Sequence, residues 1–357
     1  MGKSILVMGG TRFVGLHIIL RLLEKGYKVT ALNRGTRPDV LPQEVRQLRC
    51  DRKDLHHLRQ VLLDTTKHEH FDAVIDPSAY VPSDVLPLID IFQDQIGCYV
   101  FISSGSVYRA RELYPWYEGM PRVTDNSQGD YGFNKKLCED ALISAFDEHG
   151  FPVVIIRPGY IYGPHNTVYR EAYFFDRILL GRTVLVPGNG TVLSQFGYVD
   201  DLANLVIMAM ENPKARGQAY NFSGKYMRNL DEYVRACAGA VEYVTGRMYL
   251  HSGESGIGTG QEARPQCIGP IHYNPDELGM SDQEVSRVFP YRWRVHTVRD
   301  ISKARYELGY DEKYSLEEGL REACKWYLTE INKGVRPFPA PDFSLEDSIL
   351  QRLDLPD

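Results

Sequence analysis

The chain has 357 residues, and its 41 lysines and arginines against 47 aspartates and glutamates leave a net charge of −6. With 43% hydrophobic residues it can bury a sizeable core, and the acidic balance argues against nucleic-acid binding by bulk charge. No apolar run approaches the ~20 residues of a membrane span, and Met1-Gly2-Lys3-Ser4 leads straight into a strand-like segment rather than a signal peptide. Six cysteines (Cys50, Cys98, Cys138, Cys237, Cys267 and Cys324) show no C-x-x-C pairing and fit reduced thiols in a cytoplasm better than a disulfide framework or a zinc site.

In the first half, short β-branched runs at Ser4–Met8, Lys28–Leu32, Ala73–Ile75, Tyr99–Ile102 and Val153–Ile156 read as strands. Between them, amphipathic stretches near Val14–Glu24, Asp54–Leu63, Asp84–Phe92 and Tyr131–Glu148 read as helices. Apolar strands separated by helical periods predict an α/β fold, a Rossmann-type doubly wound parallel sheet covered on both faces. The second half is less regular. It offers a helix at Arg170–Leu180, a Pro187-Gly188-Asn189-Gly190 turn, a helix from Asp200 to Glu211 and a strand at Gln218–Phe222. Residues 251–270 are rich in Gly and Ser and read as a long loop. Helical spacing resumes at Ser315–Leu328, with Ser315 as N-cap. The tail beyond, with Pro337, Pro339, Pro341 and Pro356, is expected to pack loosely. This divides the chain into a dinucleotide-binding domain at 1–165, to which 196–222 returns, a smaller mixed α/β substrate lobe at 166–195 and 223–335, and a tail at 336–357.

Directly after the first strand, Gly9-Gly10-Thr11-Arg12-Phe13-Val14-Gly15 opens a helix. Gly9 permits the tight turn, Gly15 lets helix and sheet approach, and the helix N-terminal N–H groups face a pyrophosphate. Arg12 stands where the middle glycine usually is. At the end of the second strand, Asn33 and Arg34 replace the acidic residue that would hold the ribose of NAD. Two guanidiniums and no carboxylate favour a 2′-phosphate, hence NADP over NAD. Asp51 can reach the adenine amine or serve the helix that starts near Asp54.

Tyr131 and Lys135 share a helix face at i and i+4, and an ammonium beside a phenol lowers its pKa towards that of a neutral-pH acid/base. Upstream, Phe101-Ile102-Ser103-Ser104-Gly105-Ser106-Val107-Tyr108 supplies a hydroxyl at a strand end that can hold a substrate oxygen against Tyr131.

With these pieces in order, the chain resembles the extended short-chain dehydrogenase/reductase superfamily, the nucleotide-sugar epimerases and dehydratases. Further matching segments are Arg157-Pro158-Gly159-Tyr160-Ile161-Tyr162-Gly163-Pro164, Tyr198-Val199-Asp200-Asp201-Leu202-Ala203, Gly217-Gln218-Ala219-Tyr220-Asn221-Phe222 and Asp300-Ile301-Ser302-Lys303-Ala304-Arg305-Tyr306-Glu307-Leu308-Gly309-Tyr310. The resemblance implies that Ser104, Tyr131 and Lys135 form a catalytic triad. By it, Tyr131 is the acid/base, Lys135 binds the nicotinamide ribose and tunes Tyr131, and Ser104 orients the reacting oxygen. It also places Gly9, Thr11, Arg12, Phe13, Val14, Gly15, Asn33, Arg34, Asp51, Pro158 and Tyr160 at the cofactor. Within the superfamily the chain is similar to the subgroup with a GGTRF(I/V)G loop that includes chloroplast stem-loop-binding proteins, which brings RNA binding and processing in as a second functional class.

Several positions depart from the sugar-nucleotide pattern. Leu193-Ser194-Gln195 lacks the arginine that grips a diphosphate, Tyr160 replaces an asparagine, and Gly105-Ser106 replaces the Asp-Glu pair of dehydratases. Arg292 and Arg294 can supply phosphate contacts instead, or lie as solvated charges on a surface strand; Ser106 and Tyr160 are further substrate candidates. His56, His57, His68 and His70 lack carboxylate or cysteine company and read as solvated, so no metal is expected. Phe174-Phe175 and Trp326-Tyr327 read as helix core. The expected function is a nicotinamide-dependent epimerase or oxidoreductase acting on a sugar, with RNA binding and NADPH-dependent carbonyl reduction as alternatives. The expected partner is a small-molecule sugar, with no membrane and no bulk nucleic-acid contact; a homodimer is compatible with the sequence.

Overall fold

The computed structural model describes residues 2–37, 40–109, 113–248 and 269–353. Most of the Gly- and Ser-rich 251–270 segment, with Cys267, lies outside the described residues.

The chain divides into two compact units. The first comprises Met1–Ile161, Gly197–Lys225 and Arg299–Lys313. In chain order it contains β1 (Ser4–Met8), α1 (Phe13–Glu24), β2 (Lys28–Asn33), β3 (Arg46–Arg49), α2 (Leu55–Thr66), β4 (Ala73–Asp76) and α3 (Pro82–Phe92). There follow β5 (Cys98–Ile102), α4 (Asp130–His149), β6 (Val153–Pro158), α5 (Val199–Glu211), β7 (Gln218–Phe222) and α6 (Ser302–Leu308). The seven strands form one parallel sheet in the order β7-β6-β5-β4-β1-β2-β3, so the expected doubly wound architecture is borne out. Strand order reverses at β1, between β2 and β4, which is the crevice where such sheets bind ligands.

The strands are apolar because both faces are covered. Ile5, Val7, Val100 and Ile156 pack with α1, α5 and α6 on one face. Leu6, Val74, Tyr99 and Ile155 pack with α2, α3 and α4 on the other. The edge strand β3, Arg-Gln-Leu-Arg, is polar and only half-buried, so no apolar run marks its bounds in the sequence.

The second unit comprises Tyr162–Phe196, Tyr226–Val298 and Tyr314–Asp357. Its helices are Glu171–Leu179, Leu230–Thr245, Asp282–Val288, Leu316–Asn332 and Ser344–Arg352. Val184–Pro187 pairs in parallel with Pro270–Tyr273, and Leu193–Ser194 pairs antiparallel with Arg228–Asn229. Phe174 and Phe175 are fully buried and Tyr327 nearly so, as their core readings require, whereas Trp326 is only half-buried. Ser315 caps its helix by accepting from the Glu318 amide, and Glu318 reaches back to the Ser315 amide. The tail is not loose throughout: Ser344–Arg352 is a helix with Ile349 and Leu350 buried. Its Glu346 forms a buried ion pair with Arg177, whose guanidinium lies over the Tyr173 ring.

Candidate functional site

The glycine loop joins β1 to α1 at the switch point. Gly9 has φ +108° and Gly10 φ +101°, backbone that a side chain would strain. A Cβ on Gly15 would lie 2.9 Å from the Gly10 Cα, so helix and loop touch backbone to backbone. Phe13 opens α1 at φ +28°, a costly conformation for a bulky residue and one that concentrates at functional sites. The N-cap residue Arg12 is extended and its side chain, which carries no oxygen, makes no cap bond to the first turn of α1. A pyrophosphate fits this helix N-terminus by charge and hydrogen bonding. Thr11, Val14 and Gly15 line the same turn, and Arg12 and Arg34 are exposed.

Asn33 is buried, and its side chain shapes its own turn: Oδ1 accepts from the Gly35 amide at 2.8 Å and Nδ2 donates to Gln47 at 3.3 Å. Asp51 accepts from the Lys53 amide at 3.0 Å, while the cap of α2 is Asp54, which accepts from the His57 amide. Between them the structure shows something the sequence did not reveal. Arg52 reaches the end of β4 and grips Asp76 with two bonds of 2.8 Å, and it also donates to the Ser78 hydroxyl and the Asp84 carbonyl. Burial alone would raise the Asp76 carboxyl, but Arg52, Tyr99 and the Ser78 amide together hold it below the usual carboxylate range. Ser78 in turn donates to the Met8 carbonyl at 2.7 Å, tying this cluster to the strand that carries the glycine loop.

Ser104 ends the segment after β5, and its hydroxyl accepts from the Ser106 amide at 3.1 Å. The helix α4 meets this turn through Gly132, where a Cβ would lie 2.3 Å from the Ser106 carbonyl oxygen. Only glycine after Tyr131 allows that approach. Tyr131, at the start of α4, is 48% exposed, whereas Lys135 one turn later is 2% exposed. The Lys135 ammonium donates to the backbone carbonyls of Ala79 and Ile102 at 2.6 and 2.7 Å and lies 6.0 Å from the Tyr131 ring centre. Burial pushes its pKa down to about 8. The structure thus brings Tyr131 and Lys135 to one end of α4, and Ser104 to the turn that this helix touches.

A further buried network, also not foreseen, braces these elements. Glu139 of α4 accepts from Ser103 at 2.6 Å, from Arg157 of β6 at 2.9 and 2.7 Å and from Arg122 at 3.0 Å. Arg157 also donates to the Tyr108 hydroxyl, which donates to Asn221 of β7. Pro158 closes β6, and Gly159 donates to the Phe222 carbonyl. The Arg299 guanidinium lies against Gly105 and Gly159, where a Cβ would come within 2.2 and 2.6 Å of its nitrogens. Its neighbours Asp300 to Tyr310 form a recognisable segment, but nothing in the local sequence singled Arg299 out.

In the second unit, the Arg294 guanidinium is engaged by Asp276 at 2.6 Å and lies over Trp293, and 291–294 forms no strand. Arg292 is exposed in the same stretch. His56, His57, His68 and His70 are exposed, and the five described cysteines are buried and free.

Comparison with known proteins follows the same lines as the geometry. The model of the NAD dependent epimerase/dehydratase family matches residues 5–223. The chain belongs to this family. As a member of it, the chain is an enzyme of the NAD-dependent epimerase/dehydratase type, as the order of its motifs implied. The family member is 31% identical to the chloroplast stem-loop binding protein of 41 kDa b from Arabidopsis thaliana, over 98% of this chain and 85% of that protein. It is 23% identical to UDP-glucuronate 4-epimerase 5 of the same plant, over 92% of this chain and 76% of the relative. Among solved structures, the UDP-glucose 4-epimerase of Thermotoga maritima superposes with a TM-score of 0.70 at 20% identity, covering 92% of this chain and 100% of the other. The UDP-glucuronic acid 4-epimerase of Bacillus cereus in complex with NAD gives 0.68 at 19% identity, covering 93% and 98%. These likenesses show the fold. Among the described residues, no helix is long and apolar enough to cross a membrane.

Proposed function

We propose that this family member is a nicotinamide-dependent epimerase or oxidoreductase of a nucleotide sugar, with Ser104, Tyr131 and Lys135 as its working residues. The observation that carries the reading is the approach of α4 to the Ser104 turn at Gly132, in the same unit as a glycine turn at the switch point whose N-cap residue makes no side-chain cap. The residues present fit a dinucleotide. The α1 amides would hold its pyrophosphate, Asn33 its adenosine ribose, and Lys135 with Pro158 and Tyr160 its nicotinamide end. When bound, the cofactor supplies a reversible hydride acceptor. Tyr131 would take the proton from a substrate hydroxyl and return it, Ser104 would hold the reacting oxygen, and Lys135 would keep positive charge near the phenol. The exposed pair Arg12 and Arg34 supports NADP over NAD, because a guanidinium–phosphate contact is charge-assisted. The relatives named as UDP-sugar 4-epimerases support the nucleotide-sugar class. A native mass spectrum and absorbance scan of the purified protein test the reading: a co-purifying or titratable nicotinamide cofactor is expected, and failure to bind either dinucleotide would overturn it.

A second reading rests on the stem-loop-binding relative. Binding of a stem-loop RNA would then fall steeply with salt and survive loss of Tyr131. With 47 acidic against 41 basic residues, binding no tighter than the non-specific range of about 10⁻⁴ to 10⁻⁶ M at physiological salt is expected instead.

A further inference from the structure

Tyr80 follows β4 and belongs to none of the motifs that mark the site. Its ring centre is 4.9 Å from the Lys135 ammonium, and the ring centre of Phe101 is 4.8 Å from the same nitrogen. Ala79 and Ile102, whose carbonyls accept from Lys135, are the chain neighbours of these two aromatics. Each strand end therefore contributes one carbonyl and one ring to the cation. Phe101 is fully buried, whereas Tyr80 is 52% exposed, so of these two rings Tyr80 is the one that also meets solvent. The Tyr131 ring stands 6.2 Å from the Tyr80 ring, tilted by 49°.

We propose that Tyr80 is a positioning residue of this site: its ring closes the solvent side of a cage, built from the Ala79 and Ile102 carbonyls and the Phe101 ring, that holds the Lys135 ammonium beside Tyr131. The inference rests on the reading of Tyr131 and Lys135 as the working pair. A ring face attracts a cation through its quadrupole and at the same time excludes water. The cage needs the ring and not the phenol hydroxyl. Other charged or titratable groups that act on Lys135 are Asp76 at the end of β4, Arg52 after β3, and Cys138 and Glu139 on α4. Changes at Tyr80 leave all four in place.

The experiment labels the full-length protein with an amine-reactive reagent, 1-fluoro-2,4-dinitrobenzene, across a pH series and quantifies the Lys135 peptide by mass spectrometry. The exposed Lys67, whose ammonium pairs with Asp64 one turn earlier, serves as internal control. The parent and Tyr80→Phe should label slowly at Lys135 with a midpoint near the value of about 8 that burial produces. Tyr80→Ala admits water to the ammonium, which outweighs the lost ring attraction, so the midpoint should rise by about one unit, a tenfold change in the protonation equilibrium, and the rate above the midpoint should increase. Tyr80→Leu, which keeps water out but loses the π face, should lower the midpoint below that of the parent, and it replaces the alanine variant if that one does not fold. Labelling at Lys135 within about twofold of the parent in a folded Tyr80→Ala or Tyr80→Leu protein would overturn the proposal, as would a Tyr80→Phe shift as large as the alanine one. The readout needs no turnover. Absence of nicotinamide binding in every form would therefore count against the proposed function, while unchanged labelling would count against the cage alone.

Discussion

Two cations are buried near the carboxyl edge of the same sheet, and they are held in opposite ways. Arg52 meets the Asp76 carboxylate in a two-bond fork, which keeps its charge fixed despite burial. Lys135 sends its hydrogen bonds to two carbonyls and sits among aromatic rings, and burial brings its pKa down to about 8. A carboxylate in contact locks a buried charge, whereas dipoles and rings leave it able to titrate. The first arrangement suits scaffolding, since Ser78 ties the pair to the strand that carries the glycine loop. The second suits a residue that works beside a proton carrier, which is where perturbed pKa values cluster.

The largest expected effect lies on the titratable side. Tyr131→Phe removes the phenol beside Lys135 and should lower turnover by about 10²- to 10⁴-fold, with the melting temperature and cofactor affinity unchanged. Steady-state rates alongside cofactor titration check this, and activity retained within a few-fold would take Tyr131 out of the mechanism.

On the locked side, Asp76→Asn should destabilise the protein by about 3 kcal/mol, because it removes the carboxylate that Arg52 meets in two bonds and leaves it the Asp84 carboxylate at 3.7 Å. Replacing both partners, as Arg52→Met with Asp76→Leu, should recover much of that loss. Urea unfolding midpoints measure both, and equal losses in the single and double variants would mean that the pair is not the source of the effect.

Lys135→Met sharpens the contrast through pH. The folded-state pKa lies below the ordinary 10.5, so burying the ammonium destabilises the parent fully below pH 8. As pH rises from 8 to 10.5 that penalty is relieved, and the parent should gain roughly 3 kcal/mol relative to the variant. Unfolding free energies at pH 7 and pH 10 give the comparison; a pH-independent difference would show that Lys135 is not depressed.

The smallest effect concerns an arginine outside the locked pair. Arg34 is exposed, so Arg34→Ala should lower the preference for NADP over NAD by about tenfold while leaving stability unchanged. Tighter binding of NAD by the unaltered protein would remove the argument from the two exposed arginines.

Much of the sheet was legible because its signal is local. β1 and β7 match the strands read from the sequence residue for residue, since an apolar run between turn residues needs no distant partner to be recognised. The glycine loop and the Ser315 capping box carry their geometry in their spacing. The helix Leu230–Thr245 was missed although it is long; it opens with the capping box Asn229–Glu232 and closes on Gly246, signals that could have revealed it. On α4, the buried positions include Lys135 and Glu139 among Gly132, Cys138, Leu142 and Ala145. A reading by hydrophobic periodicity turns such charged residues outward, because it cannot see the carbonyls and guanidiniums that will receive them.

The sequence by itself determined the doubly wound sheet, the glycine turn between β1 and α1 and the face shared by Tyr131 and Lys135, because each depends on residues a few positions apart. Only the tertiary structure decided that Arg52 spends its charge on Asp76, that Glu139 joins Ser103 to Arg157, and that Lys135 lies under Tyr80. These pairings join residues carried on different strands and helices. Whether a buried charge is locked, braced or left to titrate depends on which groups the folded chain brings within a few ångströms of it, and no local spacing encodes that.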